Sequence, residues 1–244
     1  MSWLHRTDSI ELITECIETL GTRDLFQPFF SLIDAILGVD QCMVFMFDTR
    51  SNMSCLLSRN FQEENIAAPL AKAYIESGYK SDPNLEILSG LTVGETRTVH
   101  LEQLLDLMSA EYRDQFFSHP GLADKVSIMS FNGRHHFYVN LYRTAGKHTF
   151  SEDGLFNNPA EPHLISSLLV RHYTLNESLR AEGPLAFLSD RERQVCRGIL
   201  AGKKMEAIAA DIGVAASTVI TYRKRAYEKL GITSRSALFA LCRD

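Results

Sequence analysis

Hydrophobic and polar positions divide the chain into a front part with mixed periodicity and a helical tail. In the front part, residues 41–48, 53–59 and 94–99 predict strands. The clearest strand signal is the pair KVSIMSF and RHHFYVNLYR on either side of Asn132-Gly133, the strongest two-residue hairpin signal. Helical periodicity predicts helices near 8–20, 24–37, 63–78, 101–107, 109–117 and 161–180. Helices around antiparallel strands indicate an α+β fold, an α/β/α sandwich with one sheet covered on both faces.

The tail has apolar residues at helical spacing throughout. In the segment KKMEAIAADIG the apolar positions are Met205, Ile208, Ala209 and Ile212, spaced as one buried stripe. Gly213-Val214 suits a turn, and a second helix follows at 217–230. The tail, 186–244, is therefore predicted to be an all-α domain of four helices, with a helix-turn-helix in the middle.

The predicted helix 217–230 has two different faces. Val219, Ala226 and Leu230 form its apolar face. The other face carries Thr218, Thr221, Tyr222, Arg223, Lys224 and Arg225. A short apolar helix followed by a basic helix is what the major groove of double-stranded DNA accepts. This pattern predicts DNA binding.

Charge is distributed unevenly along the chain. The whole chain of 244 residues has a formal net charge of −5. Residues 184–244 contain eleven Lys and Arg against six Asp and Glu, a net charge of +5, so residues 1–183 carry about −10. Because Lys and Arg neutralise phosphates, the basic tail fits nucleic acid and the acidic front part does not. Gly183-Pro184 breaks the preceding helix, which predicts domains at 1–178 and 186–244 joined by a linker at 179–185.

The tail resembles the LuxR-type DNA-binding domain over roughly residues 186–244. The resemblance rests on Leu188-Ser189, Arg191-Glu192, Gly202-Lys203, Ile208-Ala209, Thr218-Val219, Lys229-Leu230-Gly231-Ile232 and Ser234-Arg235. It implies that Lys203, Lys204, Thr218, Thr221, Tyr222, Arg223 and Lys224 face DNA, and that the last helix, 234–242, helps to pair two domains. The family often has Ser where Ala215 stands, so Ser217 is the candidate N-cap and is included among the DNA-binding residues.

The front domain is similar to the GAF- or PAS-like sensing domains found in front of LuxR-type tails. A mostly apolar cavity for a small-molecule ligand is expected between the sheet and the helices around 63–117. The candidate ligand contacts are Tyr74, Tyr79, Asp82, Tyr112, Tyr138 and Asn140. The alternatives for these residues are a role as plain core side chains and, for Asp82, a role as a helix cap.

Tyr74, Tyr79 and Asp82-Pro83 also resemble the motif of acyl-homoserine-lactone receptors. Leu70 stands where that family has Trp, and the interval from Tyr79 to Asp82 is one residue shorter than the spacing in the family's motif. A lactone receptor is therefore kept as one alternative, and a dimeric regulator that needs no ligand as another.

Other function classes lack their motifs. The sequence has no GxSxG, P-loop or HExxH motif and no metal-ligand spacing, so we expect neither an enzyme nor a cofactor. A phosphorylated receiver needs alternating parallel β/α units, which the hairpin at 132–133 contradicts. Five scattered cysteines indicate reduced thiols, and no apolar run approaches twenty residues, so we expect a cytoplasmic protein without a membrane span. The sequence predicts a ligand-responsive transcription regulator that binds DNA as a homodimer.

Overall fold

A computed structural model describes residues 7–48, 53–61, 67–186 and 188–242. The five strands are β1 Gln41–Asp48, β2 Met53–Asn60, β3 Thr96–His100, β4 Leu122–Phe131 and β5 His135–Thr144. The α-helices before the tail are α1 Thr7–Glu18, α2 Phe26–Ser31, α3 Ala67–Glu76, α4 Asn84–Ser89, α5 Ala110–Arg113, α6 Ala160–Leu175 and α7 Glu177–Glu182. Those of the tail are α8 Asp190–Leu200, α9 Met205–Ile212, α10 Ala216–Leu230 and α11 Arg235–Leu241.

The strands form one antiparallel sheet in the order β2-β1-β5-β4-β3. β4 and β5 are joined by the turn at Asn132-Gly133, and Gly133 has a φ of +90°, a conformation that glycine adopts without strain. In β1, Val44 packs in one hydrophobic core and Phe45 in the other, as expected from the two-residue period of a strand. The predicted α+β fold with a sheet between two helical layers is confirmed.

Each face of the sheet has its own helices. One core joins Val44 and Leu141 to α1, α2 and α6. The other core joins Phe45 and Tyr138 to α3, α4 and α5. Short 3₁₀ or π segments complete the layers at Arg23–Leu25, Leu32–Ile36, Gly78–Ser81, Leu101–Gln103, Leu105–Leu107 and Asp114–Ser118. The second core is therefore covered by short and irregular helical pieces.

Several predicted helices differ in detail. Of the helix predicted at 63–78, residues 63–66 lie outside the described residues, and α3 ends at Glu76. The helix predicted at 161–180 is two helices, because Asn176 is extended, with φ −140° and ψ 94°, and its side chain accepts the amide of Ser178. Asparagine competes for backbone hydrogen bonds in this way and starts the new helix α7.

The tail forms the predicted helix-turn-helix from α9 and α10. Ser189 and Glu192 make the expected capping box at the start of α8. Gly213 and Gly231 end α9 and α10 in the left-handed conformation. The assignment of Ser217 as N-cap is wrong. Ala215 is the cap residue of α10, without a side-chain hydrogen bond, and Ser217 is already the second residue of the helix.

The helices of the described ranges were compared with the length and hydropathy of a membrane-spanning helix. No single helix there is long and apolar enough to cross a membrane. Helices α9 and α10 reach the length and apolar composition of such a span only when they are counted together, although they meet at a 98° bend.

Candidate functional site

The polar face of α10 lies at the surface of the tail. Ser217, Thr221 and Lys224 are exposed, and Thr218, Tyr222 and Arg223 are half-buried. The opposite face is anchored, since Val219, Ala226 and Leu230 are fully buried. Burial of one face therefore leaves the other free to enter a groove, with backbone and side chains held in a fixed orientation.

Two lysines lie just before α9. Lys204 is the cap residue of α9, and Lys203 donates to Asp211 Oδ2 at 2.6 Å. Half of the Lys203 side chain is exposed, so a phosphate can compete with this surface ion pair. Ile220, on the exposed side of α10, is 49% exposed, so this face also carries an apolar side chain.

A polar cluster lies inside the second core of the front domain. We use this name for the buried residues Tyr74, Asp82, Asn84, Lys125, Ser127, Tyr138 and Asn140. They come from α3, the loop before α4, α4 itself and the inner face of β4 and β5. Buried polar groups are stable only when they are hydrogen-bonded, so their individual bonds determine what the cluster can do.

Asp82 is the acceptor at one side of the polar cluster. Its Oδ2 accepts from Tyr74 Oη at 2.9 Å and from Tyr138 Oη at 2.8 Å, and its Oδ1 accepts the Asn84 amide at 2.8 Å. The last bond tethers the start of α4. Burial, followed by the Asp82 charge, raises the pKa of Tyr74, so this phenol stays protonated as a donor.

The Tyr138 hydroxyl connects three residues of the polar cluster. It donates to Asp82 and accepts from Asn84 Nδ2 at 2.9 Å and from Lys125 Nζ at 2.8 Å. One donor and two lone pairs are thereby all used. Burial, followed by Asp82, raises the pKa of Tyr138.

Lys125 places a cation in this core. Its side chain is 3% exposed, and Nζ lies 3.9 Å from Asp82 Oδ2, beyond hydrogen-bond distance. The tyrosine rings of Tyr138 and Tyr142 lie 5.1 and 5.8 Å from Nζ and add cation–π attraction. Burial lowers the pKa of Lys125, and Asp82 opposes that shift.

The other predicted ligand contacts lie around the polar cluster. Asn140 Oδ1 accepts from Ser127 Oγ at 3.0 Å, one step away from Tyr138. Tyr112 is buried and lies against Phe116 with ring centroids 4.7 Å apart. Tyr79 is only half-buried and contacts Phe47 at 6.5 Å between centroids. The structure thus joins Tyr74, Asp82 and Tyr138 directly and leaves Tyr79 at the edge.

Sequence reasoning missed Asn84, Lys125 and Ser127. Lys125 and Ser127 pair with Tyr142 and Asn140 across the hairpin and point to the same face. The signal was the two-residue spacing of Lys125 and Ser127 on β4, with Ser127 opposite the candidate Asn140 on β5.

The front domain and the tail meet at a charged junction. The Glu182 carboxylate, at the end of α7, accepts two bonds of 2.8 Å from Arg23 and one of 3.2 Å from Arg197 of α8. On the other side, Arg59 of β2 donates to the carbonyl oxygen of Lys229, in the last turn of α10, at 3.2 Å. A cation at a helix C-terminus is favoured by the helix dipole. Helix α10 is thus tied to the sheet of the front domain.

Comparison with known proteins identifies the tail. Residues 186–242 match the family described as "Bacterial regulatory proteins, luxR family". They are a luxR-family helix-turn-helix domain. Over 61 residues, 25% of this chain, the sequence is 48% identical to the "Probable transcriptional regulatory protein NarL" of Mycobacterium tuberculosis. The chain spans 28% of the length of that relative.

Two further proteins resemble a larger share of the chain, which extends beyond this luxR-family domain. A "Putative HTH-type transcriptional regulator in exeN 3'region" of Aeromonas salmonicida is 28% identical over 182 residues, 66% of this chain and 92% of the relative. A crystal structure titled as the N-acylhomoserine lactone dependent LuxR family factor CepR2 of Burkholderia cenocepacia covers 70% of this chain and 98% of its own, with a TM-score of 0.53 and 14% identity. At that identity the likeness shows the fold, an α+β domain like the one described above.

Proposed function

We propose that this chain is a transcription regulator that binds double-stranded DNA through α10 and responds to a small molecule bound in the front domain. The observation that carries the DNA-binding part is the exposed polar face of α10 on a luxR-family domain. Lys203, Lys204, Arg223 and Lys224 serve as phosphate contacts, while Ser217, Thr218, Thr221 and Tyr222 reach base edges or the sugar-phosphate backbone. The protein acts in the cytoplasm, where it meets DNA.

The ligand-responsive part is supported by the polar cluster. A buried cation, a buried carboxylate and two buried phenols lie beneath α3, α4 and α5. Short helical pieces over such a cluster are easier to move than the sheet below, because they have few backbone hydrogen bonds of their own. Tyr74, Asp82, Tyr112, Tyr138 and Asn140 are the proposed ligand neighbours, with Tyr79 at the entrance.

An acyl-homoserine lactone is the less favoured ligand. Asp82 already accepts three hydrogen bonds from the protein, so about one acceptor site of its carboxylate is left for a lactone amide N–H. Leu70, in the position of the family's Trp, packs in the core and supplies no hydrogen-bond donor. Losing one neutral hydrogen bond costs about 0.5–1.5 kcal/mol, up to roughly tenfold in affinity.

The proposed DNA-binding form is a homodimer. One helix-turn-helix reads only part of a groove, and dimers bind half-sites about 10 bp apart. On α11, Leu238 and Leu241 are buried within the monomer, whereas Phe239 is 40% exposed. Phe239 is therefore a large apolar side chain of α11 that is available for a contact between two tails.

A ligand changes DNA binding if it favours one arrangement of the two domains over another. The junction at Glu182 and Arg59 provides the contacts that differ between a docked and a released tail. β2, which carries Arg59, also contacts α3, the helix that carries Tyr74. Movement of α3 on ligand binding would therefore reach the junction directly.

The proposal is tested by selecting DNA sites from a random library with the full chain and then footprinting the protein on the site that binds best. We expect two protected half-sites about 10 bp apart and a dimer by sedimentation. The variant Phe239→Glu is expected to dissociate that dimer while each tail stays folded. A monomer that protects a single half-site, or a selection that returns no common sequence, contradicts the proposal.

A further inference from the structure

Two groups in the polar cluster have unused hydrogen-bonding capacity. Asn84 is 1% exposed, and its Oδ1 has no partner among the described residues. Lys125 is 2% exposed, and the described part of the chain gives its ammonium one hydrogen bond, to Tyr138. A carbonyl acceptor and an ammonium with spare N–H donors are costly to bury in this state.

These two groups lie close together. Lys125 Nζ and Asn84 Nδ2 both bond the same Tyr138 oxygen, at 2.8 and 2.9 Å. The groups with unused hydrogen-bonding capacity are thus the cationic donor Lys125 Nζ and, next to it, the neutral acceptor Asn84 Oδ1. Asp82 contributes little to this capacity, because three donors from the protein already fill most of the acceptor sites of its carboxylate.

We infer that the ligand is a small aromatic carboxylic acid with a hydroxyl or amino group next to its carboxylate. The carboxylate accepts from the Lys125 ammonium, and the neighbouring O–H or N–H donates to Asn84 Oδ1. This inference rests on the proposed ligand-sensing function and names the chemical class of its ligand. Charge-assisted bonds are roughly twice as strong as neutral ones, so the anionic group is matched to Lys125.

The aromatic side chains packed beside the polar cluster favour an aromatic ring in the ligand. Phe45 and Tyr74 lie 4.8 Å apart between centroids, and Phe116 meets Tyr74 edge-on at 6.0 Å. Such rings pack against a further aromatic ring in stacked or edge-to-face geometry. A flat ligand also buries apolar surface that an extended hydrophilic molecule would not.

Three methionines lie in the core that the ligand would have to enter. Met43, Met108 and Met129 belong to the same buried core as Tyr74 and Tyr138. Methionine has three rotatable bonds and fills irregular spaces, so these side chains can repack around a bound ring at small cost. The irregular helical pieces Gly78–Ser81 and Leu101–Gln103 cover this core and can yield in the same way.

The test is calorimetric titration of the full chain with 2-hydroxybenzoate, 2-aminobenzoate and N-octanoyl-homoserine lactone. We expect the two acids to bind, and the methyl ester of 2-hydroxybenzoate to bind at least tenfold more weakly because it cannot carry the negative charge. The 4-hydroxy isomer should also lose at least threefold, since its hydroxyl cannot reach Asn84 Oδ1. The ester and the isomer leave the protein unchanged, so they test the contact without any question of folding.

The protein variants are Lys125→Met and, as the matched control, Lys80→Met at an exposed lysine of the same domain. Lys125→Met should abolish the tenfold preference for acid over ester, and Lys80→Met should keep it. Equal affinity of acid and ester for the unchanged chain overturns the inference. Binding of the lactone without binding of either acid overturns the ligand class but leaves ligand sensing in place. Failure of all three compounds overturns the inference and counts against ligand sensing, while DNA selection still tests the tail.

Discussion

Tyr138→Phe removes one oxygen from the centre of the polar cluster. The ring stays in place, so packing changes little, but three hydrogen bonds are lost: the bond to Asp82 and those from Asn84 and Lys125. Bonds to charged groups contribute about 1.5–3 kcal/mol and neutral ones about 1 kcal/mol. Because the three bonds share one oxygen and the neighbours relax, we expect a loss of about 4 kcal/mol in the free energy of unfolding.

The assay is urea denaturation followed by circular dichroism, with thermal melting as a second measure. A loss of about 4 kcal/mol lowers the melting temperature by roughly 10 °C for a domain of this size. Tyr142→Phe is the control. Tyr142 shares the same face of β5, and no hydrogen bond of its hydroxyl is found in the described ranges, so we expect less than about 0.5 kcal/mol. Equal effects of the two substitutions, or a loss below about 1 kcal/mol for Tyr138→Phe, would refute the idea that this hydroxyl organises the cluster.

Three further predictions concern helix α10, the junction and acid stability. In filter-binding assays, Arg223→Ala and Lys224→Ala should each reduce the magnitude of the slope of log affinity against log salt concentration by roughly one, because each removes one phosphate contact. Arg171→Ala, on an exposed part of α6, is the control and should leave the slope unchanged. Glu182→Gln removes ion pairs that are partly exposed and contribute about 1 kcal/mol. It should speed hydrogen exchange at the amides of Leu185, Ala186 and Leu188 by roughly fivefold, without changing exchange in β4 and β5. Burial lowers the pKa of His172 to about 4, compared with roughly 6.5 in the unfolded chain. Acid therefore protonates this histidine in the unfolded state first. The free energy of unfolding of the wild type should fall by up to about 3 kcal/mol as the pH drops from 6.5 to 4. His172→Gln should flatten that dependence in urea denaturation, and an unchanged pH profile would rule out His172 as its source.

The helix-turn-helix was predictable because local sequence fixes most of it. Ser189 and Glu192 satisfy the first amides of α8, and Gly213 and Gly231 allow the left-handed turns that end α9 and α10. These interactions join residues a few positions apart, so the chain needs no distant partner to specify them. The same holds for the hairpin at Asn132-Gly133. The error at Ser217 was also local, because a cap position shifts by two residues without changing the pattern around it.

The polar cluster and the junction were decided by the tertiary structure. Asp82 and Tyr138 are 56 positions apart, and Arg23 and Glu182 are 159 apart, yet each pair is joined by hydrogen bonds of 2.8 Å. The sequence analysis did not single out Lys125, and only the register of β4 against β5 and the packing above the sheet place its side chain in the core. Local sequence determined where helices and strands form, because backbone hydrogen bonds and caps act over short distances. Long-range packing decides which polar groups are buried together, because only packing sets both their separation and their burial. It therefore also decides which of these groups can bind a ligand or hold the two domains together.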